Sequence, residues 1–131
     1  MDYETKSDCK YLIALHLILV VKYRKQLLIG ELGQFLKAAI KQLSMESDFD
    51  IEEIEIDKDH VHILMAISPK YSISQHVRNI KQLTTHKIWC YSPNLKKQFW
   101  KERTFWSDGY FVCYVGNASA ETIRRYIQEQ G

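Results

Sequence analysis

The chain has 131 residues, of which 46% are apolar and 26% charged, with a net charge of +2. This length and apolar content predict one globular domain spanning residues 1–131 and exclude an intrinsically disordered chain. The small net charge does not by itself indicate a nucleic-acid partner. The longest apolar run, at 11–21, is too short to cross a bilayer, and we expect neither a signal peptide nor a membrane anchor.

Cys9, Cys90 and Cys113 are widely spaced and contain no CxxC pair. A zinc ribbon or a disulfide framework is therefore not expected, and a reducing cytoplasm is the compartment that fits best.

Charge is unevenly distributed along the chain. Residues 46–59 are strongly acidic, whereas 78–103 carry seven basic residues against one acidic residue. The basic block is equally consistent with a phosphate-binding surface and with a solvated helix face.

Hydrophobic periodicity predicts seven elements in chain order: a strand at 11–21, a helix at 31–46, strands at 51–56 and 60–67, a helix from about 72 to 90, a strand at 105–115 and a last helix after Ser119. The turn Asp57-Lys58-Asp59 joins the second and third strands as a hairpin. Ser72 is a candidate helix cap, Pro93 ends the long helix, and Gly116-Asn117 forms a turn. The first six elements predict an α+β, ferredoxin-like or RRM-like antiparallel sheet, β-α-β-β-α-β, to which a C-terminal helix is added.

His60-Val61-His62 lies on the third predicted strand. Alternate side chains of a strand leave the same face, so the two imidazoles stand about 6.6 Å apart along the backbone while Val61 points to the other face. Two neutral imidazoles on a rigid strand can hold a divalent cation. Paired histidines on a half-buried strand are also common as ordinary polar residues, so this spacing leaves both interpretations open.

The last predicted helix carries Tyr126 and Gln130, which lie four residues apart and so share one face. Ile123 and Ile127 form a neighbouring apolar stripe that can dock the helix. Such a tyrosine is often only a packing contact. Together with the histidines, however, it suggests one reaction, in which the phenol attacks a phosphodiester while a divalent ion polarises the scissile phosphate.

At this point the chain resembles the single-tyrosine transposases of the HUH endonuclease superfamily, the TnpA-type enzymes of the smallest insertion sequences. The matching segments follow the expected order and cover nearly the whole chain. They are His60-Val61-His62 with its apolar tail, Pro69, the helix from Ser72 to Trp89, residues 106–112, Val115-Gly116, and residues 121–130.

The resemblance implies an enzyme that cuts and rejoins single-stranded DNA at the ends of its element through a 5′-phosphotyrosine. It implies Tyr126 as the nucleophile, His60, His62 and Gln130 as ligands of Mg²⁺ or Mn²⁺, and no nucleotide cofactor. It also implies subterminal DNA hairpins as substrate, and a homodimer with joined sheets in which the tyrosine helix of one subunit can complete the histidine site of the other.

Candidate DNA contacts, named on the resemblance and on charge, are Lys81, Thr84, Thr85, Arg78, Lys87, Arg124 and Arg125. Many relatives have glycine after the helix lysine, where this chain has Gln82. His16 is expected to pack beside the sheet, and Asp59 either orients a histidine or only forms the turn. Two alternatives remain open: a non-catalytic module that binds single-stranded nucleic acid, and a domesticated relative that cuts repetitive hairpins.

Overall fold

The computed structural model of the protein describes residues 13–99, 103–115 and 120–130, the last segment with side chains from residue 124 onward. Its elements are β1 (Ile13–Val20), α1 (Gly30–Glu46), β2 (Phe49–Asp57), β3 (His60–Ile67), α2 (Ile73–Tyr91), α3 (Pro93–Gln98), β4 (Phe111–Tyr114) and α4 (Ala120–Glu129). A single turn of 3₁₀ helix, Lys22–Arg24, follows β1. The predicted turn at 116–117 and the cap at Ser119 lie outside the described residues.

The four strands form one antiparallel sheet in the order β2-β3-β1-β4. The first and third strands are therefore central, and the second and fourth form the edges. This is the strand order of a ferredoxin-like fold, which confirms the predicted α+β class. The predicted hairpin of β2 and β3 is present, with one register shift between Ile51 and Glu53.

The main hydrophobic core lies between one face of the sheet and helices α1 and α2. Residues at alternate positions of β1 and β3 face these helices: Leu15, Leu17, Leu19, Val61, Ile63, Met65 and Ile67. Leu36 and Ile40 of α1 and Val77 and Ile80 of α2 complete this core. Each of these side chains is at most 3% exposed. The apolar face predicted for the strands therefore packs against the apolar stripes predicted for the helices.

The opposite face of the sheet is also covered. Ile18 and Val20 of β1 alternate with the core residues and are nevertheless 0% exposed. Helix α4 lies over this face, since the ring of Tyr126 contacts that of Phe111, which pairs with Ile18 in the sheet. The fold thus places a helix on each side of the strand that carries the two histidines.

The fourth strand is shorter than predicted, because β4 begins at Phe111 rather than at Phe105. Before it, the chain touches the end of β1 only through isolated contacts, such as the bridge between Val21 and Trp106. The ammonium of Lys81 on α2 draws the carbonyls of residues 107, 108 and 109 towards itself, at 2.7, 3.0 and 2.9 Å. Three successive carbonyls cannot point one way in a regular strand, in which they alternate.

A second difference lies after α2. The predicted break at Ser92-Pro93-Asn94 is a junction between two helices, because α3 begins at Pro93. Proline suits the first position of a helix, where its missing N–H is not needed.

Two serines that begin neighbouring helices provide a matched test of local stability. The hydroxyl of Ser72 accepts from the backbone N–H of Gln75, and the Gln75 side chain accepts from the Ser72 N–H, completing a capping box. Ser92 begins α3 without a side-chain capping bond. We expect Ser72→Ala to lower the free energy of unfolding by about 1 kcal/mol and Ser92→Ala to change it far less. Urea denaturation measures both, and equal losses would contradict the capping role of Ser72.

Candidate functional site

His60 and His62 both lie on the face of β3 opposite the main core. Val61, between them, is 0% exposed and packs into that core. In the sheet His62 pairs with Ile18 and His60 with Val20, on the side covered by α4. The predicted alternation of the His60-Val61-His62 segment is therefore present, and the two imidazoles leave one face.

Asp59 holds the ring of His60. Its Oδ1 lies 2.9 Å from Nδ1 of His60, and its Oδ2 accepts from Nε of Arg24 at 3.3 Å. Burial alone would raise the pKa of the Asp59 carboxyl, but the hydrogen bonds and charges of His60 and Arg24 outweigh it and hold the pKa below its usual value. An ionised carboxylate can only accept, so Nδ1 of His60 is the donor in this contact, and in the neutral ring Nε2 is then the nitrogen that carries the lone pair. Of the two interpretations of Asp59, the orienting one fits.

His62 makes a contact that the sequence did not reveal. Its Nε2 lies 2.8 Å from Nδ1 of His16, with the ring centroids 5.0 Å apart. His16 pairs with Leu64 in the sheet and is thus the diagonal neighbour of His62. Burial, followed by the charge of His16, lowers the pKa of His62 and favours the neutral imidazole. A neutral ring can bind a cation, but through Nε2 only in exchange for the His16 bond.

Tyr126 and Gln130 converge on one backbone position. A Cβ built on Gly109 would lie 3.4 Å from the Tyr126 hydroxyl and 4.0 Å from Oε1 of Gln130. The shared helical face predicted from their spacing is therefore present. Within the described part of the chain the Tyr126 hydroxyl is buried without a hydrogen-bond partner. Burial raises the pKa of Tyr126 to about 12, so the phenol is neutral at physiological pH.

The two histidines line one cleft, and Gln130 lines another. One cleft, of about 440 Å³, is lined by His60, His62, Arg124 and Ile127 together with residues 55–57. A second, of about 270 Å³, is lined by Gln130, Glu129, Lys22, Tyr23 and residues 107–109. Among residues 13–99, 103–115 and 120–130, no cluster of three or more His, Cys, Asp or Glu side chains could hold a metal. A cation on the two histidines would therefore need further ligands, such as the oxygen of an amide, a water or a phosphate.

Three of the candidate DNA contacts have structural partners instead. Thr84 is 0% exposed and accepts from the indole N–H of Trp106 at 2.9 Å. Thr85 is 4% exposed and accepts from the backbone N–H of Phe105 at 3.2 Å. The three ammonium protons of Lys81 are engaged by residues 107–109, as described above. Direct DNA contact by these side chains does not fit the structure, because their polar atoms hold the segment that precedes β4.

The other candidate contacts are more accessible. Arg78 on α2 and Arg124 and Arg125 on α4 are exposed, and Lys87 is half-buried. Arg124 also lines the histidine cleft, so one basic side chain reaches the edge of that site. Across the described residues, no helix combines the length and apolarity needed to cross a membrane.

This combination of a ferredoxin-like sheet, two histidines on a central strand and a tyrosine on a helix over the same face defines a single-tyrosine transposase. The family profile described as "Transposase IS200 like" matches residues 9–130, and the chain belongs to this family of DNA transposition proteins.

Known proteins similar to this chain agree with that assignment. The ISDra2 transposase TnpA of Deinococcus radiodurans is 29% identical over 120 residues, which are 92% of this chain and 85% of the relative. The transposase for insertion sequence element IS200 of Salmonella typhimurium is 32% identical over 126 residues, covering 96% and 79% of the two chains.

Solved structures extend the comparison. The crystal structure of a candidate transposase from Deinococcus radiodurans R1 superposes with a TM-score of 0.85 at 27% identity, covering 95% of each chain. A REP-associated tyrosine transposase bound to a REP hairpin superposes with a TM-score of 0.56 at 18% identity, covering 88% of this chain and 62% of the other. The second likeness shows the shared fold alone.

The unpartnered hydroxyl of Tyr126 leads to a prediction about stability. Tyr126→Phe removes a desolvated polar group that makes no hydrogen bond, so we expect the free energy of unfolding to rise by about 1 kcal/mol. Tyr110→Phe is the control, because the Tyr110 hydroxyl lies 3.1 Å from the Ser74 hydroxyl. Removing this partnered hydroxyl should not raise the free energy of unfolding. Urea denaturation at pH 7 distinguishes the two. A clear loss of stability in Tyr126→Phe would contradict the burial of an unpaired hydroxyl.

The same hydroxyl makes stability depend on pH. An unfolded chain loses this proton near the usual pKa of 10.0, whereas the folded protein keeps it up to about 12. Between these values the folded state binds more protons, so rising pH lowers the free energy of unfolding. Other tyrosines and lysines also titrate there, and the contribution of Tyr126 is therefore the difference between the wild type and Tyr126→Phe. We expect the wild-type free energy to fall more steeply from pH 10 to 12, and parallel curves would contradict this.

Proposed function

We propose that the protein cuts and rejoins single-stranded DNA through a covalent bond to Tyr126. The observation that carries the proposal is that Tyr126 and the His60-Val61-His62 segment lie over the same face of the sheet. In the proposed step the Tyr126 oxygen attacks a backbone phosphorus and the bond from phosphorus to the 3′ oxygen breaks. The 5′ end is then held as a phosphotyrosine, and the phenol proton passes to the departing 3′ oxygen, which becomes a free 3′-OH. Attack by a 3′-OH reverses the step and rejoins strands, so no nucleotide cofactor is needed.

We further propose that His60, His62 and Gln130 hold Mg²⁺ or Mn²⁺. The donor set supports this, since Asp59 engages Nδ1 rather than Nε2 of His60 and burial lowers the pKa of His62. Two imidazoles and an amide oxygen suit a borderline or hard divalent cation and leave positions for water and phosphate. When bound, such an ion supplies Lewis-acid polarisation of the scissile phosphate. The Gln130 amide oxygen lies beside Gly109, close to the Tyr126 hydroxyl, so a shift of α4 would move both groups together.

The buried phenol argues that the described arrangement is a resting one. A hydroxyl with a pKa of about 12 and no hydrogen-bond partner among the described residues has no base to take its proton. We infer that α4 must move before attack, so that Tyr126 and Gln130 leave their places beside Gly109 and reach a histidine cleft. That cleft can belong to the same subunit or to a second copy.

The edges of the sheet favour one way of forming the proposed homodimer. β2 is an edge whose exposed side chains include Glu52, Glu53 and Glu55, and like charges disfavour pairing of two such edges. β4 is the other edge, and Tyr114 and Val115 beside it are 53% and 51% exposed. We propose that two copies join their sheets through β4, because its unpaired backbone groups and apolar side chains are accessible.

Single-stranded DNA with subterminal hairpins is the proposed substrate. Exposed Arg78, Arg124 and Arg125 can contact phosphates, and a structural neighbour of the same fold was solved with a REP hairpin. Domesticated and mobile forms of such an enzyme differ in the DNA that flanks the gene. Palindromes at both ends of an element would identify this copy as mobile.

The central prediction concerns a covalent adduct. Incubation with single-stranded oligonucleotides that span the palindromic ends, together with Mn²⁺ or Mg²⁺, should yield a protein–DNA adduct that survives denaturing electrophoresis. Tyr126→Phe should form none, because the nucleophile is gone, whereas Tyr110→Phe should still form it. An adduct in Tyr126→Phe would sink the assignment. Metal-independent DNA binding with no adduct in any variant would favour a non-catalytic binding module instead.

The metal proposal is tested by calorimetric titration with Mn²⁺ in the absence of DNA. His60→Ala and His62→Ala should each abolish measurable binding, and Asp59→Asn should weaken it by about 10- to 100-fold because the His60 ring loses its orienting carboxylate. Glu52→Gln is the control, since it removes one negative charge from an exposed position of β2 that does not line the histidine cleft. Unchanged affinity in His60→Ala would contradict the assigned ligands.

A further inference from the structure

A single arginine connects the histidine strand to the tyrosine helix. Nε of Arg24 donates to Oδ2 of Asp59 at 3.3 Å, and Nη1 of the same guanidinium donates to the backbone carbonyl of Gln128 on α4 at 3.1 Å. Asp59 in turn holds the ring of His60 at 2.9 Å. We propose that Arg24 is a positioning residue that holds the tyrosine helix in its resting place and couples this place to the orientation of His60.

The helix end that Arg24 contacts is one that needs a donor. The last four carbonyls of a helix lack partners within it and carry the negative end of the helix dipole. In α4 the Ile127 carbonyl accepts from the Gln130 N–H at 3.2 Å, and the Gln128 carbonyl accepts from Arg24. A guanidinium satisfies both the missing hydrogen bond and the negative potential, and its planar fork can serve Asp59 at the same time.

The backbone around Arg24 is strained in a way that serves this contact. Tyr23 and Arg24 have φ angles of 61° and 51°, in the left-handed region that residues other than glycine rarely adopt. The turn is fixed on both sides, because the Val21 N–H donates to the Asp59 carbonyl and the Lys22 N–H to the Phe105 carbonyl, both at 2.9 Å. Strain of this kind persists where the surrounding structure imposes it, and here it directs the Arg24 side chain between Asp59 and α4.

The docking of α4 and the contact between Arg24 and Asp59 affect each other. While Arg24 holds the end of α4, the Tyr126 hydroxyl stays buried beside Gly109 and cannot reach a phosphate. When α4 leaves, Arg24 loses its Gln128 contact and is free to give its remaining donors to Asp59 or to an incoming phosphate. Because the two contacts share one guanidinium, a change at Asp59 and His60 alters the docking of α4, and the reverse holds by linkage.

The significance of this contact rests on the proposed function of Tyr126, but the contact can be tested without any DNA. Hydrogen–deuterium exchange of the full-length chain should compare wild type, Arg24→Gln, Arg24→Lys and Lys41→Gln. Lys41 is exposed on α1, so Lys41→Gln removes one positive charge away from the site. We expect Arg24→Gln to speed exchange in peptides from 120–130 at least about tenfold while peptides from β1, β3 and α2 keep their rates.

Arg24→Lys distinguishes the role of the two guanidinium donors from that of the positive charge. A lysine keeps the positive charge but cannot place two fixed donors on Asp59 and Gln128, so exchange in 120–130 should be intermediate. Wild-type rates in Arg24→Lys would overturn the bridging role, as would wild-type rates in Arg24→Gln. If Arg24→Gln speeds exchange equally throughout the chain, Arg24 is only a general stabiliser and the proposal is also overturned.

A spectroscopic readout distinguishes helix release from a loss of packing elsewhere. Ultraviolet titration of tyrosine ionisation, taken as the difference between each protein and its Tyr126→Phe counterpart, reports Tyr126 alone. Its pKa should fall from about 12 in the wild type towards 10.0 in Arg24→Gln, because the released hydroxyl becomes hydrated. An unchanged difference titration contradicts the proposal. Release of α4 in a protein that forms no DNA adduct would uphold the role of Arg24 and reject the transposition chemistry, so the two failures are distinguishable.

Discussion

The pairing of β1 with β3 at the centre of the sheet is the constraint on which both faces of this protein depend. Val61 and Ile63 point into the core formed with α1 and α2, and both are 0% exposed. Because a strand alternates, this burial forces His60 and His62 onto the other face. A slip of one residue in the register would bury both imidazoles among aliphatic side chains and expose Val61, so core packing and the placement of the two histidines have one origin.

Residues 105–109, which precede β4, are held in place by partly or fully buried polar side chains of α2. The Lys81 ammonium donates to three backbone carbonyls. The Thr84 hydroxyl accepts from the Trp106 indole N–H, and the Thr85 hydroxyl accepts from the Phe105 backbone N–H. Burial lowers the pKa of Lys81, and nearby Asp108 opposes this shift only in part. This network sets the position of Gly109, which in turn lies under the Tyr126 hydroxyl and the Gln130 amide. The side chains of α2 that were predicted to contact DNA thus support Tyr126 and Gln130 indirectly.

Polar groups on this face are restrained by hydrogen bonds to neighbours. His60 is oriented by Asp59, His62 faces His16, and α4 is held at its end by Arg24. The Tyr126 hydroxyl is the exception, since it is buried and has no hydrogen-bond partner among the described residues. If Tyr126 is the nucleophile, as we propose, its activation requires a change in its surroundings. The proposed site is therefore divided in this structure, with the histidines in one cleft and the tyrosine buried beside Gly109.

Local sequence patterns were sufficient to predict much of the secondary structure and the faces on which several side chains lie. The alternation around Val61, the Ser72 cap, the helical spacing of Tyr126 and Gln130 and the order of strands and helices follow from interactions within a few residues. These features identified the fold class and the family resemblance. The contacts of His16, Arg24 and Lys81 could not be read this way. Each joins elements separated by 26 residues or more, and depends on register, on a left-handed turn or on how a loop packs under a helix. Residue types and spacing thus determined which groups are candidates for the chemistry, whereas tertiary packing decided which of them are accessible and which are held by other residues, because solvent access and hydrogen-bond partners arise only when distant segments meet.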